Sequence, residues 1–169
     1  FNNFTTKARE TIKKAHELVI ERGQNHVGPV HLLTALVLHE ESLVFSILDK
    51  LEVDVMQLTD MLLDLIEAPD GNTVLSPAYQ IYLTPEFAQV LEKATRIAAG
   101  LNDELVSTEH LFAAILDVPG KARDTLTRFG LNQEKVLRVL KELRENQTTD
   151  ATVSPKQLRA IQRYTRSLT

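Results

Sequence analysis

The sequence predicts an all-α protein of two tandem four-helix repeats related by pseudo-twofold symmetry, and three observations carry that expectation. The stretch VGPVHLLTAL at positions 27–36 returns as VSTEHLFAAI at positions 106–115. A shift of 79 pairs Thr5 with Thr84, Lys14 with Lys93, Ala15 with Ala94 and His31 with His110, with no gap from Phe4 to Leu36. Further on the shift becomes 78, so that Leu48 meets Leu126, and Leu58, Met61, Leu62 and Leu65 meet Val136, Val139, Leu140 and Leu143. A fixed self-similarity of this kind marks duplicated supersecondary units. Finally, apolar residues in both halves step by three and four, the spacing of one helix face.

Each half opens on an amphipathic helix. Ala8, Ile12, Ala15 and Val19 form the apolar stripe of the first, and Phe87, Leu91, Ala94 and Ala98 that of its counterpart. Thr84-Pro85 supplies an N-cap hydroxyl followed by Pro at the first helical position, and Gly28-Pro29 and Ser107-Thr108 mark the starts of the second helices. The second helix of the first half is expected near Pro29 to His39 and the third near Leu43 to Leu51. Leu58, Met61, Leu62 and Leu65 are the i, i+3, i+4, i+7 stripe of the fourth. Residues 68–83, APDGNTVLSPAYQIYL, contain Pro69, Gly71 and Pro77 and read as the loop between repeats. Repeat 1 therefore covers about 4–67 and repeat 2 about 83–145 of a domain spanning 1–145. Residues 146–169 read as a flexible linker, NQTTDATVSP, and a final basic segment whose Leu158, Ile161 and Tyr164 have no assigned core.

Composition narrows the function classes. The chain has 169 residues, 43% of them hydrophobic, no cysteine, and no apolar run of membrane-spanning length. A membrane partner, disulfides and thiolate metal sites are therefore not expected, and the composition suits the cytoplasm. The whole chain carries −4, and its last fourteen residues hold Lys156, Arg159, Arg163 and Arg166 with no acid, which leaves −8 on residues 1–155. An acidic body with only 5% aromatics is a poor match for a phosphate backbone, so no nucleic-acid partner is expected. The absence of Met at position 1 suggests a chain cut from a longer one.

No catalytic constellation emerges. His31 and His110 stand third in the second helix of each half, and neither has a second His or a Cys at zinc-site spacing. At that position an imidazole can accept from the unpaired N–H groups of the helix start, as Glu or Gln does in a capping box, so both are read as structural. Gly23 and Gly28 have the glycine spacing of a phosphate loop, but Pro29 and Val30 follow where Lys and Ser or Thr are required. His39-Glu40 begins a zincin motif that Leu43 fails to complete. The carboxylate pairs Glu40/Glu41 and Asp103/Glu104 read as solvated helix ends. Neither a cofactor nor a metal is expected in this fragment, and no enzymatic activity.

FTTKARETIKKAHELVIERGQNHVGPVHLLTAL followed by LTPEFAQVLEKATRIAAGLNDELVSTEHLFAAI resembles the Clp N-terminal domain family, the duplicated repeat that precedes the ATPase rings of Clp-family AAA+ chaperones. The likeness runs from about Phe4 to Glu145, and the end KQLRAIQRYTRSLT is similar to the segment leading into the first ATPase domain of the ClpB-type disaggregases. It implies a module that engages unfolded or aggregated client proteins weakly and passes them to a hexameric ATPase ring, with ATP and magnesium bound downstream of Thr169. The fragment itself would be monomeric. By this resemblance Thr5, Asp103 and Glu109 match polar positions of client engagement; N-capping and compensation of the helix dipole would equally place such residues there. The residues themselves add Leu18, Ile20, Val90 and Ile97, apolar positions off the core stripes of the opening helices, expected to form an exposed client-binding strip. A ClpC-type domain, which docks adaptor proteins or phosphoarginine-marked substrates, is the alternative. The Glu that precedes the His of each repeat in that family is kept here as Glu109, but the first repeat has Val30.

Overall fold

The computed structural model describes residues 3–39, 42–67 and 81–150, with side chains described as far as Glu145. The elements, in order, are α1 (Thr6–Glu21), β1 (His26–Val27), α2 (Pro29–Leu38), α3 (Leu43–Lys50), α4 (Val55–Glu67), β2 (Tyr82–Leu83), α5 (Pro85–Gly100), α6 (Thr108–Ile115), α7 (Lys121–Arg128) and α8 (Gln133–Asp150). The expected all-α class and the helix starts at Pro29, Leu43 and Pro85 are observed. The chain divides into two compact units, Phe1–Val136 and Leu137–Thr169, the boundary falling inside α8. The core built on α1–α7 belongs to the first.

The helix termini repeat in pairs because the residues that make them repeat. Thr5 Oγ1 accepts from the Ala8 N–H at 3.1 Å and Thr84 Oγ1 from the Phe87 N–H at 3.1 Å. Asp54 Oδ1 accepts from the Gln57 N–H at 3.1 Å and Asn132 Oδ1 from the Lys135 N–H at 2.8 Å. Each such cap satisfies a donor the helix cannot pair internally and is worth about 1 kcal/mol. The C-terminal ends match as well. Gly23 (φ 67°) and Asn102 (φ 62°) take the left-handed conformation after α1 and α5, and Glu52 (φ 58°) and Gly130 (φ 81°) do so after α3 and α7. In every case the next residue's N–H reaches back to a carbonyl five residues upstream, as in Gln24 to Val19 at 3.0 Å and Asp103 to Ala98 at 2.8 Å.

α2 and α6 are the core helices. Leu32 to Val37 of α2 are buried on all sides, as are all residues of α6. α1 packs on α2 and α5 on α6, and α2 and α6 pack on each other. The cross-contacts come in exchanged pairs: α1 with α6 and α2 with α5, α3 with α6 and α2 with α7. Swapping the repeats converts one member of each pair into the other, which is the signature of an internal twofold. The strands follow the same rule. β1 pairs in parallel with β2, Val27 opposite Leu83, and Phe4 forms a parallel bridge with Val106. Phe4 and Leu83 are equivalent, as are Val27 and Val106, so the entry of each first helix is held by the entry of the other repeat's second helix. Tyr82–Leu83, expected as part of a loop, is thus a short strand.

Three other expectations are corrected. In α5 the buried stripe runs through Val90, while Leu91 is half-buried; Val90 occupies the place equivalent to Thr11, buried in α1 with its hydroxyl donating to the Lys7 carbonyl at 2.8 Å. Asp103 is not a solvated helix end, because it is engaged by His110. α8 continues through Asn146 to Asp150, past the expected start of the linker, since an established helix adds a residue at little cost even through Asn and Thr. The expected loop over 68–80, the Glu40/Glu41 pair and the basic segment from Lys156 lie outside the described residues.

The matched left-handed positions yield a paired test. Glu52 adopts there a conformation that costs a side chain with Cβ about 1 kcal/mol, whereas Gly130 adopts it freely and has open space around it. Glu52→Gly is expected to stabilise the domain by about 0.5 to 1 kcal/mol and Gly130→Ala to destabilise it by about 1 kcal/mol. Denaturant unfolding of the two variants measures both, and shifts of the same sign would contradict the assignment.

Candidate functional site

The two histidines cap the central helices. Gly28 donates its N–H to His31 Nδ1 at 3.1 Å, and Ser107 donates its N–H to His110 Nδ1 at 2.8 Å. A backbone amide can only donate, so Nδ1 is unprotonated in both rings and Nε2 carries the hydrogen. His31 Nε2 lies 3.1 Å from Gln24 Oε1 and His110 Nε2 lies 2.7 Å from Asp103 Oδ2. Gln24 and Asp103 are equivalent, and each is turned toward its imidazole by the left-handed residue before it. This is the capping role expected of both histidines, with a partner on the far side of the ring that spacing alone did not reveal. Among the described residues no group of His, Asp and Glu is arranged to hold a metal ion.

The surroundings of the two rings differ. Burial, and secondarily the Arg22 guanidinium, lower the pKa of His31 to about 4. Arg22 in turn donates to the Leu18 carbonyl at 3.2 Å and lies 3.4 Å from Glu67 Oε1. His110 is 1% exposed and has an acidic partner in place of a neutral one.

These caps flank the seam between the repeats. The Thr5 N–H donates to the Val106 carbonyl at 2.9 Å, which brings Thr5 to the segment carrying Asp103 and Glu109. The structure therefore places the three polar candidates in one region. Each also has a structural occupation: Thr5 caps α1, Asp103 holds His110, and Glu109 is buried, with the Thr108 hydroxyl 3.4 Å away. The apolar candidates separate. Ile20 is 59% exposed and Ile97 half-buried, but Leu18 and Val90 are 4% and 0% exposed. Leu18 and Val90 are core residues and are withdrawn from the exposed strip; each opening helix is covered over more of its circumference than a single stripe implied, because neighbours from both repeats pack on it. Sequence reasoning missed Tyr82, Leu83 and Leu105, large apolar residues exposed beside the two strand bridges. The available signal was apolar residues in IYLTP and ELVST that precede a helix cap and belong to no helical stripe.

The comparisons agree with this architecture. The family profile described as the Clp repeat (R) N-terminal domain matches residues 3–129. The chain is 29% identical over 164 residues to a Chaperone protein ClpB of Bacteroides thetaiotaomicron, an alignment covering 97% of this chain and 19% of that protein. The chain thus spans about a fifth of the length of the curated relatives it matches. The N-terminal domain of Hsp104 from Candida albicans shares the fold, with a TM-score of 0.73 at 20% identity, covering 84% of this chain and 91% of that one. So does a ClpV N-domain solved in complex with a VipB peptide, with a TM-score of 0.63 at 18% identity, covering 80% and 82%.

The His31 cap makes stability depend on pH. Its folded pKa lies below the unfolded value of about 6.5, so the unfolded chain takes up the proton first. The contribution is full above about pH 6.5 and is lost as pH falls toward 4, amounting to at most about 3 kcal/mol. In His31→Gln the amide replaces the acceptor but does not titrate, so the variant should show a flatter stability profile over that window. Equal slopes for the two proteins in denaturant unfolding at stepped pH would refute the cap's protonation state.

Proposed function

Because the chain belongs to the Clp repeat N-terminal domain family, we propose that it is the substrate-engaging N-terminal domain of a ClpB-type AAA+ disaggregase, binding unfolded or aggregated client proteins weakly at the seam between its repeats. The observation that carries this reading is the exposure of Tyr82 and Leu83 at one inter-repeat bridge and of Leu105 beside the other, where Thr5 and Asp103 also lie. Exposed large apolar side chains with polar neighbours suit a surface that must engage many sequences. Weak binding suits release, since a chaperone that must let go of many clients gains nothing from a deep, preorganised site. The likeness to an N-domain solved with a bound peptide supports a peptide-docking role for the same fold.

In this reading the fragment is a monomer in the cytoplasm with no catalytic site of its own. ATP and magnesium act in ATPase domains of the parent protein, a hexameric ring to which this domain delivers clients. The ClpC-type alternative, docking of adaptor proteins or phosphoarginine-marked substrates, is weakened by Val30 where that pattern wants Glu.

Titration of the labelled domain with a permanently unfolded protein, followed by NMR, tests the site. Shifts should gather on residues 82–84 and 103–110 and on Thr5. Shifts confined to the open groove of about 380 Å³ between α4 and α7, where Met61, Leu65 and Thr125 line the wall, would move the site elsewhere. ATP with magnesium should leave the melting temperature of the fragment unchanged, because a ligand of the native state alone must raise it.

A further inference from the structure

We propose that the outer edge of β2 is an acceptor strand for clients, capturing an extended polypeptide through the main chain of Leu83. The inference rests on the client-binding reading above and names what the client presents there. In the parallel ladder the Tyr82 N–H donates to the Asn25 carbonyl at 2.8 Å and the Thr84 N–H to the Val27 carbonyl at 3.0 Å. Alternation along a strand then directs the N–H and C=O of Leu83 away from β1. Leu83 and Tyr82 are 39% and 51% exposed, so neither residue of the strand is enclosed by the core. Outward main-chain groups on a sheet edge are a template for a further strand, and an extended peptide is the ligand whose donors and acceptors match them.

The molecule already performs this capture twice on itself. Val27 holds Tyr82-Leu83-Thr84, and Val106 holds Asn3-Phe4-Thr5 by the same pattern, with the Val106 N–H donating to the Asn3 carbonyl at 2.7 Å. The two captured segments differ in their first two side chains, so pairing by the main chain tolerates substitution. That tolerance is what a binder of many clients requires. A folded protein has its backbone groups already paired, whereas an unfolded segment offers them, so the edge discriminates by folding state without reading sequence. At the equivalent position of the other bridge Phe4 is 6% exposed, so among the described residues the two bridges do not offer the same surface. Tyr82 stands against His26 with ring centroids 5.8 Å apart, a small aromatic platform beside the docked strand.

Leu83→Pro isolates the interaction. It deletes the one outward donor while Tyr82 and Thr84 keep theirs toward β1, and Pro is tolerated on an edge strand whose N–H faces outward. The probe is a short blocked peptide of alternating leucine and serine, with an analogue N-methylated at every residue as the control on unaltered protein. The Leu83 amide should become protected from hydrogen exchange on binding, Leu83→Pro should weaken binding about five- to tenfold, and the N-methylated peptide should not bind. Binding that survives both changes, without protection at Leu83, overturns the edge site and leaves client binding through side chains standing. Absence of peptide binding anywhere on the domain overturns both readings.

Discussion

Leu32–Val37 of α2 and the whole of α6 are buried on every side, and the rest of the structure follows from how the starts of these two helices are satisfied. A helix start leaves N–H groups with no partner inside the helix, and one buried as at α6 costs about 1 to 3 kcal/mol if unpaired. His31 and His110 relieve this from within the chain by folding an imidazole back over the first turn. The ring is then held on its far side by Gln24 or Asp103, whose positions depend on the left-handed residues that end α1 and α5. Cap, turn and preceding helix therefore form one mechanical unit. Changing the residue at any of its three points disturbs the other two.

That unit also carries the joint between the repeats. The residues just before the caps, Val27 and Val106, are the ones that pair with Leu83 and Phe4. Each repeat thus lends its second-helix entry to the first-helix entry of the other. A connection exchanged in this way is satisfied only when both halves are folded. It also leaves the joint on the surface, where the short strands end and apolar side chains emerge.

Duplication made the scaffold, and departures from it shaped the surface. Ile20, Leu38 and Met56 are exposed in the first repeat where the second has Ala99, Asp117 and Glu134. Asp117 is engaged by Lys93 at 3.1 Å, an exposed pair of little energetic weight that nonetheless replaces apolar surface with charge. Leu83 is open where Phe4 is closed, and Val30 stands where Glu109 is buried. The pseudo-twofold core is therefore compatible with a one-sided exterior, and a single seam can differ at its two ends.

The helices, their caps and the duplication were legible in the sequence because they depend on residues close in the chain: three- and four-step apolar spacing, a Thr-Pro pair, a His three places into a helix. The resemblance of the quoted segments to the Clp N-terminal domain rested on the same local patterns. What only the tertiary structure decided depends on partners far apart in sequence. Leu18 and Val90 looked like surface because one stripe seemed enough to bury an opening helix, yet packing from both repeats covers them. Asp103 and His110 are only seven residues apart, but the left-handed turn at Asn102 that joins them leaves no periodic trace in the sequence. β1 and β2 are too short for any periodicity to register, and their pairing exists only because the two repeats meet. Local spacing sets which face of a helix is apolar; the number of neighbours that come to cover it is a property of the assembled core alone.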